Sequence, residues 1–257
     1  MINTRNTDED WKKLGFENPY WGVISEPEFD YLKDENKDLL DRFYNTGEDE
    51  VDKLISTIKT KVKSNFQIGS VLDFGSGVGR LLLPFAQKTL EICYGCDVSE
   101  GMHEKCLRRA NYLDINNIKL IQDLENLHIS FSLVNTRIVL QHIHPKRGIE
   151  YINKLAHLVK DDGIFALQFT VAREKSLIKH NESNFYVFNG DNVQGLFTDS
   201  GSDRPSGALY MFDYSLLEII LLLQMNGFTN MHLETENMGG HISVQIISRK
   251  NSSQKTS

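Results

Sequence analysis

The sequence predicts a doubly wound α/β domain behind a helical cap, with a mostly parallel sheet that carries one antiparallel strand near its C-terminal end. Three observations carry this. From residue 70 onward, short apolar runs alternate with amphipathic stretches, the order that gives parallel strands joined by crossover helices. One such run, in "VLDFGSGVGR" (71–80), ends in a glycine-rich turn. The last two runs, "TNMHLETE" and "HISVQIISR", are joined only by "NMGG". That link is too short for a crossover, so the two strands form a hairpin.

Taken in order, residues 1–69 read as the helical cap. Val51, Leu54, Ile55 and Ile58 repeat at helical spacing, and "GFENPYWGVISEPEF" is an aromatic, turn-rich lip ahead of them. "SVLDF" is a short buried strand, and "RLLLPFAQK" a helix with Pro84 confined to its first turn or a kink. "EICYGCDV" is the second strand, and "SEGMHEKCLRRANYL" a helix with Ser99 as N-cap. "IKLIQ" and "SFSLVNTRIVL" hold the third and fourth strands. "KRGIEYINKLAHLVK" is amphipathic, with Ile149, Ile152, Leu155 and Val159 on one face. "DDG" (161–163) reads as a turn and "IFALQFTV" as the fifth strand.

Residues 171–210 then lose periodicity and read as a substrate-side insertion. "YSLLEIILLLQMNGF" resumes as a helix ended by Gly227. The expected organisation is therefore a cap (1–69), a main domain (70–249) containing the insertion, and a polar tail (250–257).

Composition narrows the function. The formal net charge is −7 and no block of Lys and Arg interrupts it, which disfavours extended nucleic-acid binding. The most apolar run, "YSLLEIILLLQM", has 12 residues and contains Glu218, too short to span a bilayer. The first residues, "MINTRNTDEDWKK", form no apolar leader. A soluble, cytoplasmic protein is the expectation. Of the three cysteines, Cys93 and Cys96 form a C-x-x-C, but on a strand they point to opposite faces and no second pair completes a site. No metal is expected.

The glycine turn is neither of the common phosphate cradles. Gly75, Gly77 and Gly79 give G-x-G-x-G, and Arg80 stands where a dinucleotide fingerprint has its third glycine. The G-K-[ST] ending of a P-loop is missing as well. Asp73, just ahead of the turn, would repel a diphosphate and attract a cation. Asp97 closes the second strand, where an acid grips ribose hydroxyls in open α/β sheets. A ribose-bearing cation without phosphates suits both acids, and S-adenosylmethionine is such a molecule.

With these residues in place, "VLDFGSGVGR" and "CDVSEGM" resemble the class I S-adenosylmethionine-dependent methyltransferases over roughly residues 70–249. "VLQHIHPKRGIEYINKLAHLVKDDGIFALQFT" and "NPYWGVISEPEF" are similar to bacterial small-molecule and glycan-type members. The resemblance implies a seven-stranded Rossmann-like sheet with a reversed last strand. It implies that Gly75 and Gly77 lie against the methionine part of the cofactor and Asp73 holds its amino group. Asp97 would take the ribose, Val98 and Met102 the adenine faces, and Asp123 the adenine amino group. Asn135 and Thr136 would lie below the cofactor. For Tyr20 and Trp21 two roles stand open, covering the cofactor or stapling cap to core.

Methyl transfer to a hydroxyl profits from a general base, and His142, His144 and His241 stand at expected strand ends. Arg137 either meets an anionic substrate or pairs with a surface acid. Tyr186, Arg204, Tyr210 and Tyr214 are the candidate acceptor wall, with an insertion folded on its own aromatics as the other reading. The expected function is methyl transfer from S-adenosylmethionine to a small polar acceptor, a hydroxyl of a sugar or related metabolite. The alternatives are N-methylation of a small molecule or protein, and a non-catalytic cofactor-binding partner.

Overall fold

The structure is a computed structural model. It describes residues 7–34, 36–174, 185–186, 195–198 and 209–252. Within these, seven strands form one sheet in the order β3 (Ile118–Ile121), β2 (Cys93–Cys96), β1 (Val71–Phe74), β4 (Phe131–Thr136), β5 (Val159–Arg173), β10 (His241–Lys250) and β9 (Phe228–Met238), and three short strands, β6 (Phe185–Tyr186), β7 (Gly195–Thr198) and β8 (Leu209–Phe212), form a second. The chain divides into two compact units, Asp8–Asn135 and a second that runs from Thr136 and includes Thr7.

The first unit begins with α1 (Asp8–Glu17), α2 (Pro19–Val23) and α3 (Lys37–Thr57), the last running on as a π-helical turn over Ile58–Val62. Asn36 caps α3 by accepting from the Leu39 N–H. The expected stripe is real: Val51, Leu54 and Ile58 are buried. Next come β1 (Val71–Phe74), α4 (Leu82–Gln87), β2 (Cys93–Cys96), α5 (Glu100–Tyr112), β3 (Ile118–Ile121) and β4 (Phe131–Thr136). β1 pairs in parallel with β2 on one side and β4 on the other, with Asp73 opposite Gly95 and Asn135. Every residue of β1 is buried, as a central parallel strand requires. Cys93, Cys96 and Cys106 are free and buried.

The N-terminal helices lie close against the strand-bearing part of this unit. A Cβ on Gly101 of α5 would lie 2.6 Å from the carbonyl of Gly15 in α1. On α3, a Cβ at Gly47 would meet the carbonyl of Arg80. Arg80 itself is buried and pairs with Glu50 of α3 at 2.6 Å.

In the second unit, α6 (Pro145–His157) buries Gly148, Ile152, Leu155 and Ala156. β5 (Val159–Arg173) pairs antiparallel with β10 (His241–Lys250), which pairs antiparallel with β9 (Phe228–Met238). Gly239 and Gly240 turn the β9–β10 hairpin. α7 (Leu216–Met225) is capped by Ser215, and Gly227 follows it at φ 86. β6 (Phe185–Tyr186), β7 (Gly195–Thr198) and β8 (Leu209–Phe212) pair antiparallel.

Two local expectations are corrected. "DDG" (161–163) is not a turn between elements but lies inside β5. Asp162 absorbs the irregularity at φ 64, a conformation Asp tolerates, and its carboxylate pairs with Arg249 of β10. The stretch 171–210 is not wholly irregular either, since β5 runs on to Arg173, and β6 and β7 fall within it.

Gly101→Ala should destabilise the protein by about 1–3 kcal/mol, because the added methyl overpacks the α1–α5 contact. Urea unfolding measures this, and an unchanged midpoint would show that the helix contact is not tight.

Candidate active site

The glycine turn is shaped by left-handed backbone. Gly75, Gly77 and Gly79 take φ of 76°, 52° and 83°, a region costly for residues with a Cβ. At Gly79 sterics add a second reason, since a Cβ there would lie 2.5 Å from the Cys106 sulfur in α5.

The turn's amides are engaged within the protein. Gly75 and Ser76 both donate N–H to the Cys96 carbonyl, at 2.7 and 3.1 Å. Gly77 donates to Asp97 Oδ2 at 2.9 Å, and Gly79 donates to the Ser76 carbonyl at 2.9 Å. A diphosphate cradle needs such N–H groups free to point at the ligand. Here four of them already have acceptors.

Asp97 is the fastening point. Its Oδ1 accepts from the Ser99 N–H at 2.9 Å while Oδ2 holds Gly77. Ser99 in turn caps α5 by accepting from the Met102 N–H. One carboxylate thus sets the glycine turn, the end of β2 and the start of α5. Burial raises the Asp97 pKa, and the two backbone N–H groups oppose that rise.

Asp73 lies beneath the turn, 3% exposed. Its Oδ1 accepts from Asn135 Nδ2 at 2.7 Å across the β1–β4 ladder. Burial pushes its pKa up to about 7, more than the Asn135 hydrogen bond and the Arg80 charge pull it down. Such a carboxyl is short of positive charge, and a bound cation supplies it.

The other cofactor-side residues are placed as follows. Met102 is buried and Val98 half-buried. Asp123 is exposed after β3, where its Oδ1 accepts from the Glu125 N–H. Thr136 is buried with no partner for its hydroxyl among the described residues. Tyr20 is buried edge-on against Phe43 and Tyr44, and its hydroxyl donates to Asp34 at 2.8 Å. Lys105 and Arg108 also pair with Asp34. Trp21 is buried beside Tyr20 in α2.

Among the residues expected at the acceptor, Arg137 pairs with Glu236 at 2.8 Å. Ile138 follows at φ 59, a strained value for a β-branched residue, and its N–H donates to the buried Gln168 at 2.8 Å. His142 is buried in the turn after β4, and its carbonyl accepts from the Thr7 hydroxyl. His144 is the N-cap of α6, with Nδ1 accepting from the Lys146 N–H at 3.3 Å. Burial, then the Lys146 charge, lowers its pKa. Burial lowers the His241 pKa to about 4. Tyr214 donates its hydroxyl to the Ile143 carbonyl at 2.7 Å. Tyr186 and Tyr210 lie on β6 and β8, and Arg204 lies outside the described residues.

Sequence reasoning missed Asp34, Gln168 and the Arg173–Asp213 pair. Gln168 left a signal, a single polar residue inside the apolar run "IFALQFTV". Asp34 left none, because its partners come from Tyr20 and α5.

Residues 71–163 match a family model described as a methyltransferase domain. No curated protein matches the chain. Among solved structures, it is similar to magnesium protoporphyrin IX methyltransferase from Synechocystis PCC 6803 with bound S-adenosylhomocysteine. There the TM-score is 0.63 at 20% identity, over 96% of this chain and 100% of that one. A methyltransferase from Clostridium acetobutylicum has TM-score 0.56 at 14% identity, over 79% and 91%. The Burkholderia thailandensis 1,6-didemethyltoxoflavin-N1-methyltransferase has TM-score 0.54 at 14% identity, over 81% and 78%. The solved structures share the fold of this chain, and residues 71–163 carry the match to a methyltransferase domain.

Because folding raises the Asp73 pKa from 3.8 to about 7, the native state binds the extra proton in that window. Its stabilising contribution is complete below 3.8 and is lost as pH rises through about 7. Asp73→Asn should therefore raise Tm at pH 8, with a gain that shrinks at lower pH, and should weaken S-adenosylmethionine binding. A lower Tm at pH 8 would contradict the assignment of burial as the main cause.

Proposed function

We propose that this S-adenosylmethionine-dependent methyltransferase transfers its methyl group to a small polar acceptor, a hydroxyl of a sugar or related metabolite. The observation that carries the reading is the turn between two carboxylates with its amides already engaged. That arrangement suits an adenosyl sulfonium and not a diphosphate. Asp97 keeps lone pairs for ribose hydroxyls, since each of its oxygens accepts one protein N–H. Asp73 faces the cofactor's amino group, with Asn135 fixing its rotamer. The acceptor is a small polar molecule and not an RNA, in keeping with a net charge of −7 and no basic stripe. The similar enzymes from Synechocystis and Burkholderia are likewise described by small-molecule acceptors.

The reaction is an in-line displacement. The acceptor oxygen forms a bond to the methyl carbon as the carbon–sulfur bond breaks. The electron pair goes to sulfur, which leaves as the neutral thioether. The hydroxyl proton passes to a base, and positioning supplies much of the rate. Among the three histidines we assign the base to His142. His144 already uses Nδ1 as a helix cap, and His241, with its pKa near 4, is a weak base at neutral pH.

The test is transfer of tritiated methyl from S-adenosylmethionine to a panel of cytosolic metabolites and nucleotide-linked sugars, with mass analysis of the product. A mass gain of one methyl on an oxygen is expected. His142→Gln should lower turnover by about 10²–10⁴-fold while cofactor affinity holds. Methylation of nitrogen, or of protein alone, would overturn the acceptor assignment, and full turnover in the variant would remove His142 from the chemistry.

A further inference from the structure

Beyond the residues assigned to the cofactor, the second unit holds a buried polar cluster at the carboxyl end of β5, the edge on which open α/β sheets bind ligands. Arg173 is the last residue of β5, and its side chain is 3% exposed. It pairs with Asp213, which follows β8, at 3.2 Å through Nη2. Directly across the antiparallel ladder from Arg173 stands His241, the first residue of β10. Paired residues share a sheet face, so the imidazole and the guanidinium lie side by side. Asp213 is held in place by its neighbours. The backbone bridges Thr170 to Asp213, the Tyr214 N–H donates to the Thr170 carbonyl, and the Thr170 hydroxyl donates to the Phe212 carbonyl.

The cluster is incompletely satisfied. Arg173 Nε and Nη1, Asp213 Oδ1 and His241 Nδ1 are all buried and have no hydrogen-bond partner among the described residues. Each unmet buried group is costly, and native proteins seldom gather several at one point without a ligand. Two of the four atoms are donors on a fixed positive charge. The Asp213 carboxylate meets only Nη2, so it leaves those donors open. Asp213 and His241 are half-buried, so the cluster is approached from their side.

We propose that Arg173 and His241 receive an oxyanion group of a small-molecule ligand, with Asp213 Oδ1 accepting from a hydroxyl carried beside it. An oxyanion has enough lone pairs to meet both arginine donors and the imidazole N–H at once. Arg173 and Asp213 hold the ligand and take no part in methyl transfer. The inference goes beyond the methyltransferase reading and stands apart from it.

The test uses the full chain with S-adenosylhomocysteine bound, and the ring resonances of its histidines in proton–carbon NMR spectra. His241→Gln assigns the His241 signal. Sodium acetate, sodium phosphate and sodium chloride are added in parallel at matched ionic strength. A saturable shift of the His241 signal with acetate or phosphate, and not with chloride, is expected. The tighter of the two identifies a carboxylate or a phosphoryl group. The charge-balanced variant Arg173→Gln with Asp213→Asn should weaken that binding by at least about tenfold. In the same variant calorimetry should find the affinity for S-adenosylhomocysteine unchanged. A His241 signal that responds to acetate and phosphate no more than to chloride would overturn the proposal. So would anion binding that survives intact in the variant. Failure of the wild-type protein to bind S-adenosylhomocysteine would instead overturn the methyltransferase reading, which the calorimetry reports separately.

Discussion

The first unit depends on one carboxylate. Asp97 receives the N–H of Gly77 from the glycine turn and the N–H of Ser99 from the start of α5. It therefore fixes where β1 ends, how the turn bends and where the helix after β2 begins. From that helix start the packing follows. Gly101 lies against Gly15, Met102 fills the core beside Gly22, and Cys106 lies where a side chain at position 79 would have to go. Because the turn's amides end on protein acceptors, what the turn presents to a ligand is oxygen rather than N–H. The preference for a cation-bearing nucleoside over a diphosphate follows from this hydrogen-bond pattern more than from the count of glycines.

The cost of that arrangement is carried by Asp73. A carboxylate nearly sealed from water, with one strong hydrogen bond and a guanidinium whose own ion pair is made elsewhere, is held at a disadvantage in the empty protein. Binding a positive group relieves it. The same logic applies in the second unit. Ile138 is strained just past β4, and Arg173 lies buried with donors unmet among the described residues. Departures from local ease gather where ligands are expected, as functional sites generally show.

Much of this was legible in the sequence, because the decisive signals are local. Alternating runs gave the order of strands and helices, "NMGG" dictated the hairpin, and Ser99 and Gly227 marked helix ends. What was hidden depends on partners distant along the chain. "DDG" has turn composition, yet its aspartate finds Arg249 of β10 and the strand continues. The strands within 171–210 lack alternation, since two short pairings need no long apolar face. Arg80 reads as an odd residue in a cofactor motif until Glu50 and Gly47 of the cap come against it. The pairing of Asp73 with Asn135 follows from strand register, which composition does not encode.

The proposed ligand of the glycine turn and its two carboxylates is an adenosyl sulfonium and not a diphosphate. Calorimetry of the full chain with S-adenosylmethionine, S-adenosylhomocysteine and NAD in parallel tests it most directly. The two methionine derivatives are predicted to bind at a single site, and NAD is predicted not to bind. Saturable binding of NAD with no heat from either methionine derivative would contradict it.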